Sequence, residues 1–418
     1  MNGLPGLCGS STPEAFELKR QLVFILNSLN RLQIEDNDRF DMPEEMFDFF
    51  KNIEALVKEK KDDFYYWDRS SSFKEEYREK VKFGFNGTHK ALSITELKQA
   101  LNTFILKVDS AIKKAYDPKS KLYSTYFINE VTNYKPLDRT DPIKGLPLVR
   151  PTEFKSIRLP LFLEGVVRAM KIEAEDARLL YKKVKVSPLY DKKLKMYKIN
   201  GPLKAVSLEI GRSSIFTPGW LENESIWLHM EYKYLVEILK AGLYEEFFEE
   251  LKNVLIPFQN PQRYRRSIFE NSSFIVSSAF PDNKMHGRGF VARLSGSTAE
   301  MLNIWTLMNA GKTPFFVDEK GRLCLRLKPI LPSWLFTKRP QCGFPKNTYA
   351  FMFLGKVLVV YHNPKMKATA GKNSVTVMSI SMEYEDGRRI DIKSDVINPP
   401  YSLDIRDRKI KRIDVDLG

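Results

Sequence analysis

At 418 residues the chain is longer than one ordinary core organises, so two or three domains are expected. A hydrophobic content of 43% and an aromatic content of 12% exclude a disordered polymer. No run of about eighteen apolar residues occurs, and Met1-Asn-Gly-Leu-Pro-Gly-Leu-Cys8 lacks the basic start and long apolar core of a secretory leader. The expectation is a cytoplasmic protein without a membrane partner.

The formal charge of +15 is dispersed through mixed segments such as Lys58-Glu-Lys-Lys-Asp-Asp63, and no zinc-finger, RNP or helix-turn-helix signature accompanies it. A solvated basic surface with no nucleic-acid partner is expected. Cys8, Cys324 and Cys342 are too few and too far apart for a disulfide framework or a zinc site, and read as buried small hydrophobes.

In chain order, Ser11 or Thr12 with Pro13 opens a helix that runs to about Leu32, with Phe16, Leu18, Leu22, Val23, Ile25, Leu26 and Leu29 as its apolar stripe. A second helix is expected from about Pro43 to Lys60, while Trp67 to Asn86 is too charged to assign. Ser93-Ile-Thr-Glu96 is a capping box that starts a long helix to about Tyr116. The proline-rich stretch 117–160 predicts a long structured loop or a small hairpin.

Helices resume at Leu161 to Lys171 and Ala174 to Val184, followed by a turn-rich piece at 190–217. Further helices are expected at about 223–241, 244–254 and 298–309. From Lys312 the character changes to short strands at 315–317, 323–327, 349–353, 356–361, 374–382 and 389–392. The expected fold is therefore mainly α with a C-terminal all-β domain. Residues 1–311 would form the helical domain, whose helix pairs suit part of an α/α toroid, and 312–418 a small β-sandwich.

Polar chemistry concentrates between 218 and 300. A helix beginning near Glu222 would place Ser225, His229 and Lys233 on the same face as that carboxylate, with Glu224 close by and Trp220 and Trp227 offering flat apolar surface of the kind that stacks on sugar rings. Ser295-Gly-Ser-Thr-Ala-Glu300 has two readings. Ser297 and Glu300 can form a capping box, or the glycine-containing turn at a helix start can present free N–H groups to an anion, with Arg288 and Arg293 upstream. No His, Asp and Glu set has metal-ligand spacing, so no metal is expected.

Four pieces in this order, Gly3-Leu-Pro5, Glu222-Asn-Glu-Ser-Ile-Trp-Leu-His229, Ser295-Gly-Ser-Thr298 and Leu327-Lys-Pro-Ile-Leu-Pro-Ser-Trp334, resemble the later part of the cellobiose and chitobiose phosphorylases. That family is built on an (α/α)6 toroid and cleaves β-linked sugars with inorganic phosphate, inverting the anomeric centre. The resemblance implies an oligosaccharide and inorganic phosphate as partners, no other cofactor, and a phosphate site made by His229 and the Gly296-Ser297-Thr298 turn, joined by Arg288. Trp220, Trp227 and Arg293 would contact substrate.

Where the family carries Asp-Trp-Asn-Asp after Gly-Leu-Pro, this chain has Ser11-Thr-Pro-Glu14. Glu14, Glu222 and Glu224 are then the candidate acids. Because the resemblance begins midway through the family's architecture, the expectation extends to a split or fragmentary phosphorylase, completed by an upstream-encoded subunit or by another copy. A glycoside hydrolase and a non-catalytic glycan-binding or assembly subunit are the alternatives.

Overall fold

The computed structural model describes residues 9–172, 176–291 and 295–418. Gly3-Leu-Pro5, Cys8, Arg293 and the expected helix start at Ala174 lie outside the described residues. The chain divides into two compact units: the first runs to Tyr190 and takes in Lys198–Ser225, and the second joins Asp191–Tyr197 to Ile226–Gly418. The change of character at Lys312 falls inside the second unit.

In the first unit come helices α1 (Thr12–Arg31), α2 (Glu44–Lys58), α3 (Asp63–Lys80) and α4 (Ile94–Ala115); the strand before α2, Arg39–Pro43, runs antiparallel to the strand before α4, His89–Ser93. The α4 capping box forms in full: Ser93 Oγ accepts the Glu96 N–H at 3.2 Å, and Glu96 Oε2 accepts the Ser93 N–H at 3.1 Å. Those backbone and side-chain hydrogen bonds from Ser93, reinforced by Lys51, hold the Glu96 carboxyl at about 2. On α1, Phe16 and Leu22 are buried, but Leu18 and Ile25 of the expected stripe are exposed.

The charged stretch after Trp67 belongs to α3. Asp62 caps it by accepting the Tyr65 N–H at 2.9 Å, although the helix buries no residue fully. It is held from outside. The proline-rich stretch forms a long antiparallel ribbon, Tyr126–Thr140 against Pro147–Arg158, whose Phe154 ring sits edge-on to Trp67 with centroids 4.6 Å apart. Arg150 of the same strand donates from Nη2 to both carboxylate oxygens of Asp68, at 2.7 and 3.0 Å. Helices α5 (Leu163–Ile172) and α6 (Ala177–Lys185) complete the unit's helical part.

The second unit is built on α7 (Leu228–Lys240), which packs against both α8 (Tyr244–Val254) and α10 (Ser295–Ala310); between them lies the four-residue α9 (Pro261–Tyr264). Tyr232, Tyr234, Leu235, Val236, Ile238 and Leu239 of α7 are all buried, the pattern of a helix covered on nearly every side. The C-terminal strands form one five-stranded sheet in the order Thr348–Phe353, Val357–His362, Ile410–Leu417, Val377–Tyr384, Arg389–Ile392. The pair Val357–His362 and Ile410–Leu417 is parallel and the other three pairs are antiparallel. A three-stranded sheet stands beside it in sequence (Phe315–Val317, Leu323–Arg326, Val396–Ile397), and α11 (Tyr401–Arg406) precedes the last strand.

This architecture corrects the expected partial toroid with a β-sandwich. The chain is mixed, 39% helical and 25% strand, with several small sheets among its helices. Consecutive helix hairpins require short polar connections, and here α1 to α2, α3 to α4 and α4 to α5 are joined through paired strands or the long ribbon. The C-terminal strands form a five-stranded mixed sheet, which the last strand enters between 357–362 and 377–384, and a smaller three-stranded sheet. Of the cysteines, Cys324 is buried as expected; Cys342 is exposed, at a turn with φ 50°.

Glu231 lies within the α7 core, completely buried, with Oε1 accepting the Tyr197 N–H at 2.8 Å. Burial pushes its carboxyl well above the ordinary 4.5. The Tyr197 N–H pulls the other way, and the charges of Glu250 and Asp191 push it further up. The unfolded chain ionises this group above about 4.5 while the folded chain keeps it protonated, so its contribution is full in acid and declines as pH rises toward the folded value. Glu231→Gln should therefore gain on the parent as pH rises from about 5 to about 8. Melting curves at both pH values test this, and parallel pH profiles for the two proteins would refute it.

Candidate functional site

Three short strands bring the site of the second unit together. Ile226–Trp227 pairs antiparallel with Phe274–Ile275, which pairs with Gly289–Phe290. The Trp227, Phe274 and Phe290 rings stack along this ladder, with centroids 6.1 and 5.7 Å apart. The strand at Trp227 runs directly into α7, so that helix begins at Leu228 and not near Glu222. Glu222, Ser225 and His229 therefore do not share a helical face. Glu224 itself has a positive φ of 54°, which no helix tolerates.

His229 is the second residue of α7, and its ring lies against Gly296 at the start of α10. A Cβ at Gly296 would stand 2.6 Å from Nδ1, 2.7 Å from Cε1 and 2.8 Å from Cγ, so only glycine admits the ring there. Glu300 Oε1 lies 3.9 Å from Nε2, at the outer limit of an ion pair. Behind them runs a relay of neutral groups. The buried Tyr232 hydroxyl accepts the Ile256 N–H at 3.2 Å and donates to Asn271 Oδ1 at 3.1 Å, which leaves Asn271 Nδ2 3.5 Å from Thr298 Oγ1. Burial raises the Tyr232 phenol far above its ordinary value, so it stays a donor.

Helix α10 starts at Ser295, earlier than the expected capping box. Ser297 sits inside its first turn, buried, and is not the residue that precedes the helix. The first four N–H groups of any α-helix have no partner within it, and the dipole makes that end attractive to anions. In α10 that end is formed by the turn Ser295 to Thr298. Gly296, Ser297, Thr298 and His229 are thus brought together.

The candidate carboxylates belong to the first unit. Asn200, completely buried, clamps the segment that carries two of them: its Nδ2 donates to Glu222 O and its Oδ1 accepts the Glu224 N–H, each at 2.6 Å. Asn223 Nδ2 donates to Phe216 O at 2.6 Å, and Trp220 bridges to Asn223 within the same turn. Both carboxylates are engaged, Glu224 with Lys198 at 2.7 Å and Glu222 with Arg212 at 3.2 Å. Either would have to leave its cation before it could protonate a leaving group. Glu14 is exposed in the first turn of α1.

Arg288 lines a separate hollow of about 380 Å³ with Lys193, Arg263, Arg265, Lys284 and the buried His286. Spacing within the sequence does not reveal this cluster, because its cations come from three distant segments. The only advance signal is the basic run Arg263-Tyr-Arg-Arg266. Tyr232 and Asn271 also escape notice in the sequence, since a helical tyrosine and a loop asparagine carry no pattern of their own. No group of three or more His, Cys, Asp or Glu side chains able to hold a metal occurs among the described residues. No helix of the described chain is long and apolar enough to cross a membrane. No protein-family model matches the chain, and no curated protein matches it either.

Gly296→Ala should cost about 1–3 kcal/mol by overpacking, against the gain of up to about 1 kcal/mol that alanine ordinarily brings to a helix. In a His229→Ala background the cost should vanish or reverse. Denaturant titration of the four proteins of this cycle measures the coupling; equal costs in both backgrounds would mean that the ring does not occupy the space above Gly296.

Proposed function

We propose that the chain is a glycoside phosphorylase-type protein of the cytoplasm that uses orthophosphate to cleave a β-linked oligosaccharide. The observation that carries this reading is the contact of His229 with Gly296 in the first turn of α10, which sets an imidazole beside the positive end of that helix. Such a combination suits a tetrahedral oxyanion: the N–H groups and the Thr298 hydroxyl donate to its oxygens, and the ring supplies another donor or a positive charge. The sugar specificity and the inverting course come from the resemblance to the cellobiose and chitobiose phosphorylases.

In the proposed reaction a phosphate oxygen attacks the anomeric carbon as the glycosidic C–O bond breaks. The leaving oxygen takes a proton from a carboxylic acid, giving a sugar 1-phosphate and a shortened saccharide. Glu14, Glu222 and Glu224 are the candidates for that acid. The ion pairs of Glu222 and Glu224 favour a second reading, in which the protein binds a glycan and phosphate without turnover.

Incubation with cellobiose-type oligosaccharides, with and without orthophosphate, separates the readings. Phosphorolysis gives a sugar 1-phosphate only in the presence of phosphate, and His229→Ala should lower its rate by roughly a hundredfold if the ring contacts the attacking oxyanion. Cleavage that persists undiminished without phosphate would make the protein a hydrolase. Saturable glycan binding with no product under either condition would establish the second reading.

A further inference from the structure

The hollow that contains Arg288 is unlike the His229 site in construction. Five cationic side chains face it: Lys193, Arg263, Arg265, Lys284 and Arg288. Among the described residues no carboxylate lines it; its other walls are Leu194, Gln262, Asn283 and His286. Like charges gathered around a concave surface repel one another, and a lining without a carboxylate favours an anion from solution.

The cations stand on a rigid frame. Asp191, itself buried, accepts the N–H groups of Lys193 and Leu194 at 3.0 Å each, and also accepts from the Ser278 N–H at 2.6 Å and the Ser278 hydroxyl at 2.9 Å. That carboxylate ties the Lys193 turn to the segment leading into His286. Lys193 Nζ donates to His286 Nδ1 at 2.8 Å, so the ring proton sits on Nε2 and goes to Phe280 O at 2.7 Å. The stem of Arg263 lies across Gly287, whose φ is +82°; a Cβ there would be 2.9 Å from Arg263 Cγ and Cδ. Gln259 Oε1 accepts from Arg263 Nη2 at 2.6 Å and fixes the guanidinium.

We propose that this hollow is a binding site for a linear polyphosphate chain, separate from the orthophosphate site proposed at His229. Its volume falls in the range of roughly 300–1,000 Å³ typical of small-molecule sites, more than one orthophosphate can fill while touching cations on all three segments. Three of the five cations are arginines, which grip phosphate oxygens in pairs. Among the described residues the one ring in the lining, His286, is buried and spent on its two hydrogen bonds, so no platform is offered to a nucleobase. The site therefore reads the phosphate chain alone, whether it comes from an inorganic polyphosphate or a nucleoside triphosphate.

Isothermal titration with sodium tripolyphosphate, ATP and orthophosphate tests the site in the intact chain. Tripolyphosphate and ATP should bind with similar affinity, both more tightly than orthophosphate, and weaken as salt rises. Arg265→Ala/Lys284→Ala removes two exposed cations and should weaken tripolyphosphate by at least roughly tenfold. The charge-matched Lys135→Ala/Lys144→Ala, on the first-unit ribbon, should change it little. His229→Ala should leave tripolyphosphate binding intact even if it abolishes every effect of orthophosphate, which keeps the two proposals distinguishable. Equal loss in the two double variants would reduce the effect to net charge, loss with His229→Ala would move the anion to the other site, and no binding by the parent would end the proposal. ATP binding far more tightly than tripolyphosphate would overturn recognition of the chain alone.

Discussion

The second unit depends on the burial of α7 between α8 and α10. A helix covered on almost every side must dispose of each polar group it carries, and α7 does so in three ways. Glu231 accepts a backbone N–H and keeps its proton. Tyr232 passes a hydrogen bond from Ile256 to Asn271. His229, at the end where the helix emerges from its strand, meets α10 at the one residue without a side chain. The same packing that excludes water from the core thereby fixes the imidazole and amide beside the first turn of α10. A carboxyl with a strongly raised proton affinity is often read as catalytic, but Glu231 is completely buried and its shift is the consequence of helix packing.

Local signals in the sequence carry much of the secondary structure. The Ser93 and Glu96 capping box marks the start of α4 because its hydrogen bonds close within four residues, and the bounds of α8 follow from its apolar spacing alone. Signals fail where stability comes from elsewhere. Helix α3 has no apolar face to reveal it, being held by an N-cap, an arginine on Asp68 and an aromatic contact with a ribbon some eighty residues away. The strand Ile410–Leu417 is not among the strands expected from the sequence, yet Ile410, Ile413, Val415 and Leu417 are buried and it lies at the middle of the sheet. Strand order is a property of distant pairings, and for that reason the sandwich expected from strand spacing was not the sheet that forms.

The site was legible to a similar degree. The pairing of His229 with the Ser295–Thr298 turn is implied only by the resemblance to the phosphorylases, since an imidazole and a distant glycine-containing helix start carry no local signal that they meet. The proposed face shared by Glu222 and His229 is not realised, because Leu221 and Glu224 both take positive φ and delay the helix to Leu228. Neither leucine nor glutamate announces such a conformation. It is imposed by Asn200, whose buried amide satisfies the backbone on both sides of Asn223.

Glycine at both proposed anion sites does the same physical work. At Gly296 the missing Cβ lets an imidazole rest on a helix start; at Gly287 it lets an arginine stem cross the backbone beside His286. In each case a cationic or hydrogen-bonding side chain comes closer to the main chain than any other residue would permit, so donors from the backbone and from side chains converge on one point. The two places differ in what converges. Beside Gly296 the donors are mainly helix N–H groups and an amide oriented by a neutral relay, a set matched to a single compact oxyanion. Around Gly287 they are full charges from three segments, a set matched to an elongated and more highly charged one. The net charge of the chain reveals neither arrangement, since dispersed lysines and a built cluster add to the same total.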